Sequence, residues 1–149
     1  MALPPLTENG ELPLGVHPAS LHEVLDRFGA GSDQRKALAL RLARVYRVAQ
    51  ASGHLTRFVI FGSFVTNRIE PNDVDIFLVM GDAFDASQLG GEAPILFDHA
   101  AAQAHFGASV FWLRRLAAWP DEATAIEFWQ VKGGGGRRGI VEVISAEAS

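Results

Sequence analysis

The sequence predicts an α/β (α+β) fold, a small mixed sheet with helices packed mainly on one face. Segments with helical periodicity alternate along the chain with short runs of β-branched and aromatic residues, an order typical of mixed α/β proteins. Of the 149 residues, 48% are hydrophobic and none is cysteine. A chain of this length can bury a core without disulfides, so we expect one domain over residues 1–149.

The first third of the chain is predicted to hold an extended arm and two helices. Residues 1–17 are rich in proline, which favours an arm that lies over the domain. Residues 20–23, Ser-Leu-His-Glu, fit a capping box, and the short helix that it starts should stop at Gly29. Ser32 caps a longer helix over residues 33–52, in which apolar side chains recur at helical spacing.

Four strands are predicted, near residues 55–61, 73–80, 107–113 and 139–144. The first ends at a sharp turn, Gly62-Ser63, and a short helical turn should follow it. The second has apolar residues on both faces, which predicts a central position in the sheet. Residues 94–106 have helical character, and the last strand is expected to form a hairpin with residues 126–132 around four glycines at 133–136.

The charge balance and the N-terminal sequence argue against some classes of protein. The 13 Lys and Arg residues against 17 Asp and Glu residues give a net charge of −4, which disfavours bulk binding of long DNA. The sequence has neither the pattern of a signal peptide nor an apolar run long enough to cross a bilayer. We therefore expect a cytoplasmic protein without membrane contact.

The strongest chemical signal lies between the first two predicted strands. Gly62 and Ser63 are followed, after nine residues, by Asp73-Val74-Asp75. Residues i and i+2 of a strand face the same side, so both carboxylates can share one Mg²⁺ ion. Mg²⁺ takes one or two carboxylates together with phosphate oxygens, which predicts a nucleoside triphosphate as the other half of the site.

The residues around the two carboxylates suit phosphate binding. Gly62 permits close backbone approach, and the Ser63 hydroxyl with the amides after it can hold terminal phosphates. Arg68 lies between the two halves of the motif, where it would either meet these phosphates or remain solvated. Taken alone, Gly62-Ser63 would be explained by an ordinary strand-to-helix turn, and Asp73-Val74-Asp75 by a solvated strand start. The spacing between the two halves of the motif favours the functional interpretation.

The Gly-Ser turn followed by Asp-hydrophobic-Asp resembles the signature of polymerase-β-type nucleotidyltransferases. Nearly the whole chain is similar to small bacterial minimal nucleotidyltransferase-like proteins, through residues 12–17 (Leu-Pro-Leu-Gly-Val-His), 62–66 (Gly-Ser-Phe-Val-Thr), 71–75 (Pro-Asn-Asp-Val-Asp), Lys132 and 139–141 (Gly-Ile-Val). The resemblance implies Mg²⁺ on Asp73 and Asp75, transfer of a nucleoside monophosphate from a triphosphate to a hydroxyl, and release of pyrophosphate.

The resemblance also implies partners. Minimal members often occur in toxin–antitoxin or defence pairs, and some modify a partner protein or tRNA. A protein or RNA acceptor is therefore expected here. Because a chain this small has little room for its own acceptor-binding domain, we also expect a homodimer or a toxin–antitoxin partner.

One position departs from the resemblance. The superfamily usually carries a third carboxylate on the next core strand, and this chain has Ser109 there. A serine cannot help to deprotonate the attacking hydroxyl at neutral pH. A catalytically degenerate nucleotide-binding or partner-binding module is therefore the alternative function. Asp98 or Glu142 would replace the missing acid only if the fold brings one of them to the site.

Other residues give weaker signals. The five histidines show no pair at a metal-binding spacing, which favours surface or packing roles. Solvation is the favoured role of three cations around the glycine-rich tip: Lys132, Arg137 and Arg138. Core or interface packing is the favoured role of four aromatic residues: Trp112, Trp119, Phe128 and Trp129.

Overall fold

A five-stranded mixed sheet forms the centre of the computed structural model, which describes residues 3–144. Its strands are β1 (Val16–Ser20), β2 (Leu55–Phe61), β3 (Asp75–Met80), β4 (Ser109–Arg114) and β5 (Ile140–Ile144). The helices are α1 (Leu21–Phe28), α2 (Asp33–Ala51), α3 (His99–Phe106) and α4 (Glu122–Glu127). The predicted α/β (α+β) class is confirmed.

The strand order is β1-β5-β2-β3-β4. β2 is antiparallel to both β3 and β5, whereas β1 is parallel to β5 and β4 is parallel to β3. β3 has a neighbour on each side and is buried from Ile76 to Met80, so its predicted interior position is confirmed. With these directions, β2 ends where β3, β4 and β5 begin. We call this the aspartate end of the sheet, after Asp75 at the start of β3.

The helices lie mainly on one face of the sheet, as predicted. The main core joins alternate residues of the strands to apolar residues of α1, α2 and α3, including Phe58, Ile60, Ile76, Leu78, Phe28, Leu38, Leu42 and Phe106. The opposite face carries a smaller cluster of Val59, Phe77, Val79, Ile126 and Ile140, covered by α4 and by Trp129. Apolar residues on both faces explain why β3 has no polar alternation beyond Asp75.

Two expectations are wrong: a strand over residues 126–132, and a hairpin between that strand and the last strand. Residues 126–132 contain the end of α4 and a short 3-10 turn, Phe128–Gln130, instead of a strand. Helical geometry buries Ile126 on the second face of the sheet, and pairing across the glycine-rich tip is reduced to one bridge between Val131 and Arg137. β5 lies instead between β1 and β2, where burial of Val141 and Val143 outweighs local hairpin pairing.

β1 was not among the predicted strands, and its first two residues belong to the segment 1–17 that was expected to form an extended arm. It is an edge strand, where Pro18 costs no ladder hydrogen bond on the open side. Residues 3–15 do form an extended arm, which contacts the aspartate end through a bridge between Glu11 and Thr66. Residues 1–2 of the predicted arm, and residues 145–149 of the predicted domain, lie outside the described residues.

The predicted capping residues start the helices, with two differences. Ser20 Oγ accepts from the Glu23 amide at 3.1 Å, and Ser32 Oγ accepts from the Arg35 amide at 3.1 Å. The Glu23 carboxylate accepts from the amide of Leu3 and thus ties the arm to α1 instead of closing a capping box. The predicted helix over 94–106 is divided at Asp98, which caps α3 after a 3-10 turn, Ala93–Phe97.

No helix between residues 3 and 144 combines the length and the apolar character that a membrane span requires.

Candidate functional site

The aspartate end brings together residues from four strand termini. Asp75 pairs with Phe61 of β2 on one side and with Ser109 of β4 on the other. The Ser109 amide also donates to the Val74 carbonyl at 3.0 Å, which fixes β4 beside the two aspartates. The Gly62-Ser63 turn follows directly after Phe61, so the structure places both halves of the sequence motif next to each other.

Gly62 is required by close approach to Asp75. Its backbone has φ +81° and ψ −165°, a conformation that is essentially restricted to glycine. A Cβ atom at this position would overlap Asp75 Oδ2 and lie 3.0 Å from Asp75 Cγ. The Asp75 carboxylate therefore packs against the bare backbone of the turn. The predicted close approach of a phosphate to Gly62 stays a prediction.

The electrostatics of Asp75 are those of a carboxylate that lacks a partner. Burial and, after it, the negative charge of Asp73 raise the pKa of Asp75 to about 6, against the charges of Arg138 and His99, which lower it. Within the described part of the chain, neither Arg138 nor His99 forms an ion pair with Asp75. The negative charge is thus held at a cost in free energy that a bound cation would relieve.

Asp73 precedes β3 and is held by several polar groups. Its Oδ1 accepts from the Val74 amide at 2.9 Å, and its carboxylate also accepts from the Gln103 side chain of α3. Burial raises the pKa of Asp73, against these hydrogen bonds and the positive charges of Arg41 and His99. The predicted pair of carboxylates therefore exists as an electrostatically coupled pair, although Asp73 lies just before the strand and not within it.

Ser63 begins a 3-10 turn, Ser63–Val65, that turns the chain away from the sheet. Its carbonyl oxygen accepts from the Thr66 amide at 3.2 Å and from the Thr66 hydroxyl at 2.7 Å. The half-buried Ser63 hydroxyl has no hydrogen-bond partner among residues 3–144, so it is available to a ligand at the aspartate end.

Arg68 does not join the aspartates in this structure. It is exposed, and its carbonyl oxygen accepts from the guanidinium of Arg35, 2.9 Å from Nε. Within the described residues, its own guanidinium forms no ion pair or hydrogen bond that would direct it to Asp73 or Asp75. The predicted contact of Arg68 with phosphates therefore stays a prediction.

The expected third carboxylate is absent from the position that Ser109 occupies. Ser109 is in register with Asp75, so it has the neighbouring place on the sheet that an acid would need. Asp98 does not replace it, because its side chain caps α3 through the Ala101 amide at 3.0 Å. Glu142 does not replace it either, since it pairs with Arg57 through contacts of 2.9 and 2.6 Å at the level of Val59.

His99 is a functional candidate that the sequence interpretation missed. Its Nδ1 lies 3.1 Å from the Val110 carbonyl, and its ring stacks on Phe111 at 4.5 Å between centroids. Because a carbonyl only accepts, Nδ1 carries the hydrogen, and Nε2 of the neutral ring holds a lone pair. A single histidine without a spaced partner gave no signal in the sequence, since only the tertiary fold brings α3 to the aspartates.

A family comparison bears on the chain as a whole. Residues 4–144 match a family described as a family of unknown function, DUF6932. The chain belongs to this family. Searches of curated proteins and of solved structures found no match. Because the description of DUF6932 names no activity, the function of this member has to be argued from the geometry of its aspartate end.

The carboxylates at the aspartate end of this DUF6932 protein are too few to hold Mg²⁺ alone, and they fit the ion only if a phosphate ligand also binds it. Among residues 3–144, no group of three or more His, Asp or Glu side chains converges as a metal site would require. Two neighbouring carboxylates with raised pKa values remain, Asp73 and Asp75. Mg²⁺ accepts one or two carboxylates when phosphate oxygens and water complete its shell.

Proposed function

We propose that this protein is a Mg²⁺-dependent nucleotidyltransferase that moves a nucleoside monophosphate from a triphosphate to a hydroxyl of a protein or RNA acceptor. The observation that carries the proposal is the Asp75 carboxylate packed against Gly62, with Asp73 near enough for its charge to raise the pKa of Asp75. The resemblance to minimal nucleotidyltransferases supports the same activity, and it favours a toxin–antitoxin or defence partner.

In the proposed reaction, the acceptor oxygen attacks the α-phosphorus and the bond from this phosphorus to the oxygen bridging to the β-phosphate breaks. Pyrophosphate leaves, and the proton of the acceptor hydroxyl passes to a base. A Mg²⁺ ion held by Asp73 and Asp75 would supply charge stabilisation to the phosphates. The Ser63 hydroxyl and the amides of its turn orient the phosphate oxygens, and Gly62 lets the Asp75 carboxylate lie directly against this turn.

The base in this proposal is His99. Its Nδ1 is occupied by the Val110 carbonyl at 3.1 Å, which orients the ring and leaves Nε2 to accept a proton. The charge of His99 lowers the pKa of both aspartates, so the ring lies near enough to them to act at this end of the sheet. His99 would thus take over one role of the acid that Ser109 replaces.

The second candidate function is nucleotide binding without transfer. The specific observation in its favour is Ser109 in register with Asp75, since a serine provides neither a carboxylate ligand nor a base. Loss of a group that acts in the transition state can leave ground-state binding of the triphosphate intact. Such a module would act through a bound partner.

Binding is tested by thermal denaturation with Mg²⁺ and each of the four common nucleoside triphosphates. At a free ligand concentration about 100 times Kd, mass action should add about 2.7 kcal/mol to the free energy of unfolding. Asp73→Asn with Asp75→Asn should abolish the shift in Tm while the protein stays folded. Glu70→Gln, an exposed change in the same loop, is the matched control. An equal shift in the double variant would place the nucleotide elsewhere.

Transfer is tested by pyrophosphate release and by label incorporation from α-labelled triphosphates, with candidate acceptors present. If transfer occurs, His99→Asn should lower kcat by about 100-fold or more and leave nucleotide binding unchanged. If the native chain binds nucleotide without transfer, Ser109→Asp should strengthen Mg²⁺ binding and introduce activity. If both the native chain and Ser109→Asp bind nucleotide and neither transfers it, the binding module is favoured.

A further inference from the structure

Three charged side chains form a cluster beside the aspartates. Lys132 Nζ lies 3.1 Å from Glu11 Oε2, and Arg138 Nη1 lies 3.4 Å from the same oxygen. Only 16% of the Glu11 side chain is exposed, against 32% of Lys132 and 21% of Arg138. One partly buried carboxylate of the arm therefore holds two cations from the segment before β5.

The backbone directs these two cations to the same side. Val131 and Arg137 pair across the glycine-rich tip, and the Arg138 amide donates to the Gln130 carbonyl at 2.9 Å. Since successive residues of an extended chain alternate in direction, Lys132 and Arg138 face away from Arg137. Arg137 is exposed and, among residues 3–144, has no ion-pair partner.

The cluster also lies at the aspartate end. β5 begins at Ile140 beside the end of β2, so Arg138 belongs to the same end of the sheet as the Gly62-Ser63 turn. The bridge between Glu11 and Thr66 places the carboxylate next to the residue that closes that turn. In agreement with this placement, the positive charge of Arg138 lowers the pKa of Asp75.

The two cations have more hydrogen-bond donors than Glu11 can accept. A lysine ammonium has three N–H donors and an arginine guanidinium has five, whereas one carboxylate balances one of the two charges. The surplus charge and donors match a phosphate group, which is the ligand that Arg and Lys side chains bind most directly.

Three of the four glycines at the tip face open space, and the fourth, Gly136, lies against the Lys132 side chain. A Cβ atom at Gly133, Gly134 or Gly135 would meet no heavy atom within 4 Å, so packing does not require glycine at these positions. The Lys132 amide and carbonyl close the tip through Gly136 and Gly135, at 3.0 and 3.1 Å. A tip without side chains between two cations permits a bulky anion to approach.

From these observations we infer that Lys132 and Arg138 bind the polyphosphate of the nucleotide at the aspartate end, and that Glu11 occupies their donors until the polyphosphate displaces it. The inference rests on the proposed function, because it assigns the residues that hold the part of the substrate that leaves. Lys132 and Arg138 act as positioning residues, and Glu11 competes with the substrate.

Inorganic tripolyphosphate, with and without Mg²⁺, is the probe, and calorimetry gives its Kd for the full chain. Lys132→Gln and Arg138→Gln should each weaken binding about tenfold, the loss expected for one charge-assisted contact. Glu11→Gln should strengthen binding severalfold, because the competing carboxylate is removed while the cations remain. Lys132→Arg and Arg138→Lys keep the charge and should retain most of the affinity.

Two control changes match these variants. Arg137→Gln removes a neighbouring positive charge that faces away from the cluster, and Glu8→Gln removes an exposed carboxylate of the same arm. Each should change the Kd for tripolyphosphate less than twofold. Circular dichroism checks the fold, and a triple variant, E11Q/K132Q/R138Q, separates loss of phosphate binding from the effect of leaving Glu11 unpaired.

The outcomes distinguish this inference from the proposed function. Tripolyphosphate binding that is unchanged in folded Lys132→Gln and Arg138→Gln overturns the inference, and nucleotide transfer that still depends on Asp75 then leaves the proposed function standing. Conversely, the inference is supported if tripolyphosphate binding depends on Lys132 and Arg138. If that same chain transfers no nucleotide and its nucleotide binding is unchanged by Asp75→Asn, the proposed function is overturned. Weaker binding in Glu11→Gln overturns the competition between Glu11 and phosphate.

Discussion

At the scale of single residues, Gly62 and Asp75 share a space that admits no extra atom. The Asp75 carboxylate occupies the position where any other residue at 62 would carry its Cβ atom. The backbone of Gly62 also has a φ of +81°, which other residues rarely adopt. The motif therefore requires glycine for two independent reasons, one steric and one conformational.

Gly62→Ala should lower the free energy of unfolding by about 1–3 kcal/mol, because alanine strains this backbone and displaces Asp75. The same change should remove most of the stabilisation by Mg²⁺ and nucleoside triphosphate. Denaturant unfolding with and without ligand measures both effects. Gly90→Ala is the matched control, since Gly90 lies in open space without a positive φ, and it should alter stability little.

The raised pKa of Asp75, about 6, predicts a pH dependence of stability. Between roughly pH 4 and 6 the folded chain binds more protons at Asp75 than the unfolded chain does, so the free energy of unfolding falls as the pH rises through this window. Asp75→Asn removes this fall. At pH 8 the variant should be more stable by about 1–2 kcal/mol, a figure reduced for partial solvent exposure.

Chemical denaturation across pH 4 to pH 8 measures the difference between Asp75→Asn and the native chain. The two stabilities should converge near pH 4, where both side chains are neutral in the folded state. Glu70→Gln serves as the control, because its side chain is exposed. A native chain that is stabilised relative to Asp75→Asn at pH 8 would show that the carboxylate has a favourable partner, contrary to our account.

At the scale of elements, α2 holds the loop between the two halves of the motif. Arg35 is 5% exposed, and its guanidinium donates to the carbonyl oxygens of Phe28, Phe64, Thr66 and Arg68. Burial lowers the pKa of Arg35, and backbone carbonyls replace the water that it loses. The helix was predicted from its apolar periodicity, but that periodicity assigns no such role to an arginine.

Arg35→Lys should destabilise the protein by about 2–4 kcal/mol, because a lysine ammonium cannot span carbonyl groups on both sides of the guanidinium and leaves some of them unpaired. Arg47→Lys is the control on the exposed side of α2, with an expected change within about 0.5 kcal/mol. Urea unfolding measures both. If the two variants unfold alike, the loop is held by other contacts than Arg35.

At the scale of the whole molecule, the two faces of the sheet are covered unequally. Trp129 supplies much of the cover on the second face, with its ring 4.5 Å from Phe61, 5.0 Å from Phe77 and 5.1 Å from Phe111 between centroids. Trp112 packs on Phe84 and Phe97 of the main core, as expected of a core aromatic. Trp119 and Phe128 are instead 84% and 63% exposed, so they do not pack in the core, and their expected role at an interface stays a prediction.

Trp129→Ala should cost about 2–4 kcal/mol, because it uncovers three aromatic rings beside β2, β3 and β4. Trp119→Ala should cost much less, since its side chain is largely in water already. It lies at the rim of an apolar cavity of about 490 Å³ that Trp129 also lines. Thermal unfolding compares the pair, and equal losses would contradict the assignment of Trp129 to the second core.

The sequence by itself was sufficient for the features that depend on neighbouring residues. The helix over 33–52, the caps Ser20 and Ser32, the strands β2 and β3 and the Gly62-Ser63 turn follow from periodicity, side-chain hydrogen bonding and backbone freedom over a few residues. The proximity of Asp73 and Asp75 to that turn was predicted for the same reason, since one short connection joins the two strands.

Only the tertiary structure decided which distant segments meet. β5 joins β1 and β2 instead of its neighbour in sequence, because burying its apolar residues within the sheet favours non-local pairing over a hairpin. The same folding brings His99 and Arg138 near Asp75, and it brings Glu11 to Arg138. Charges act through space and not along the sequence, so no local pattern could reveal which cations and carboxylates would share the aspartate end.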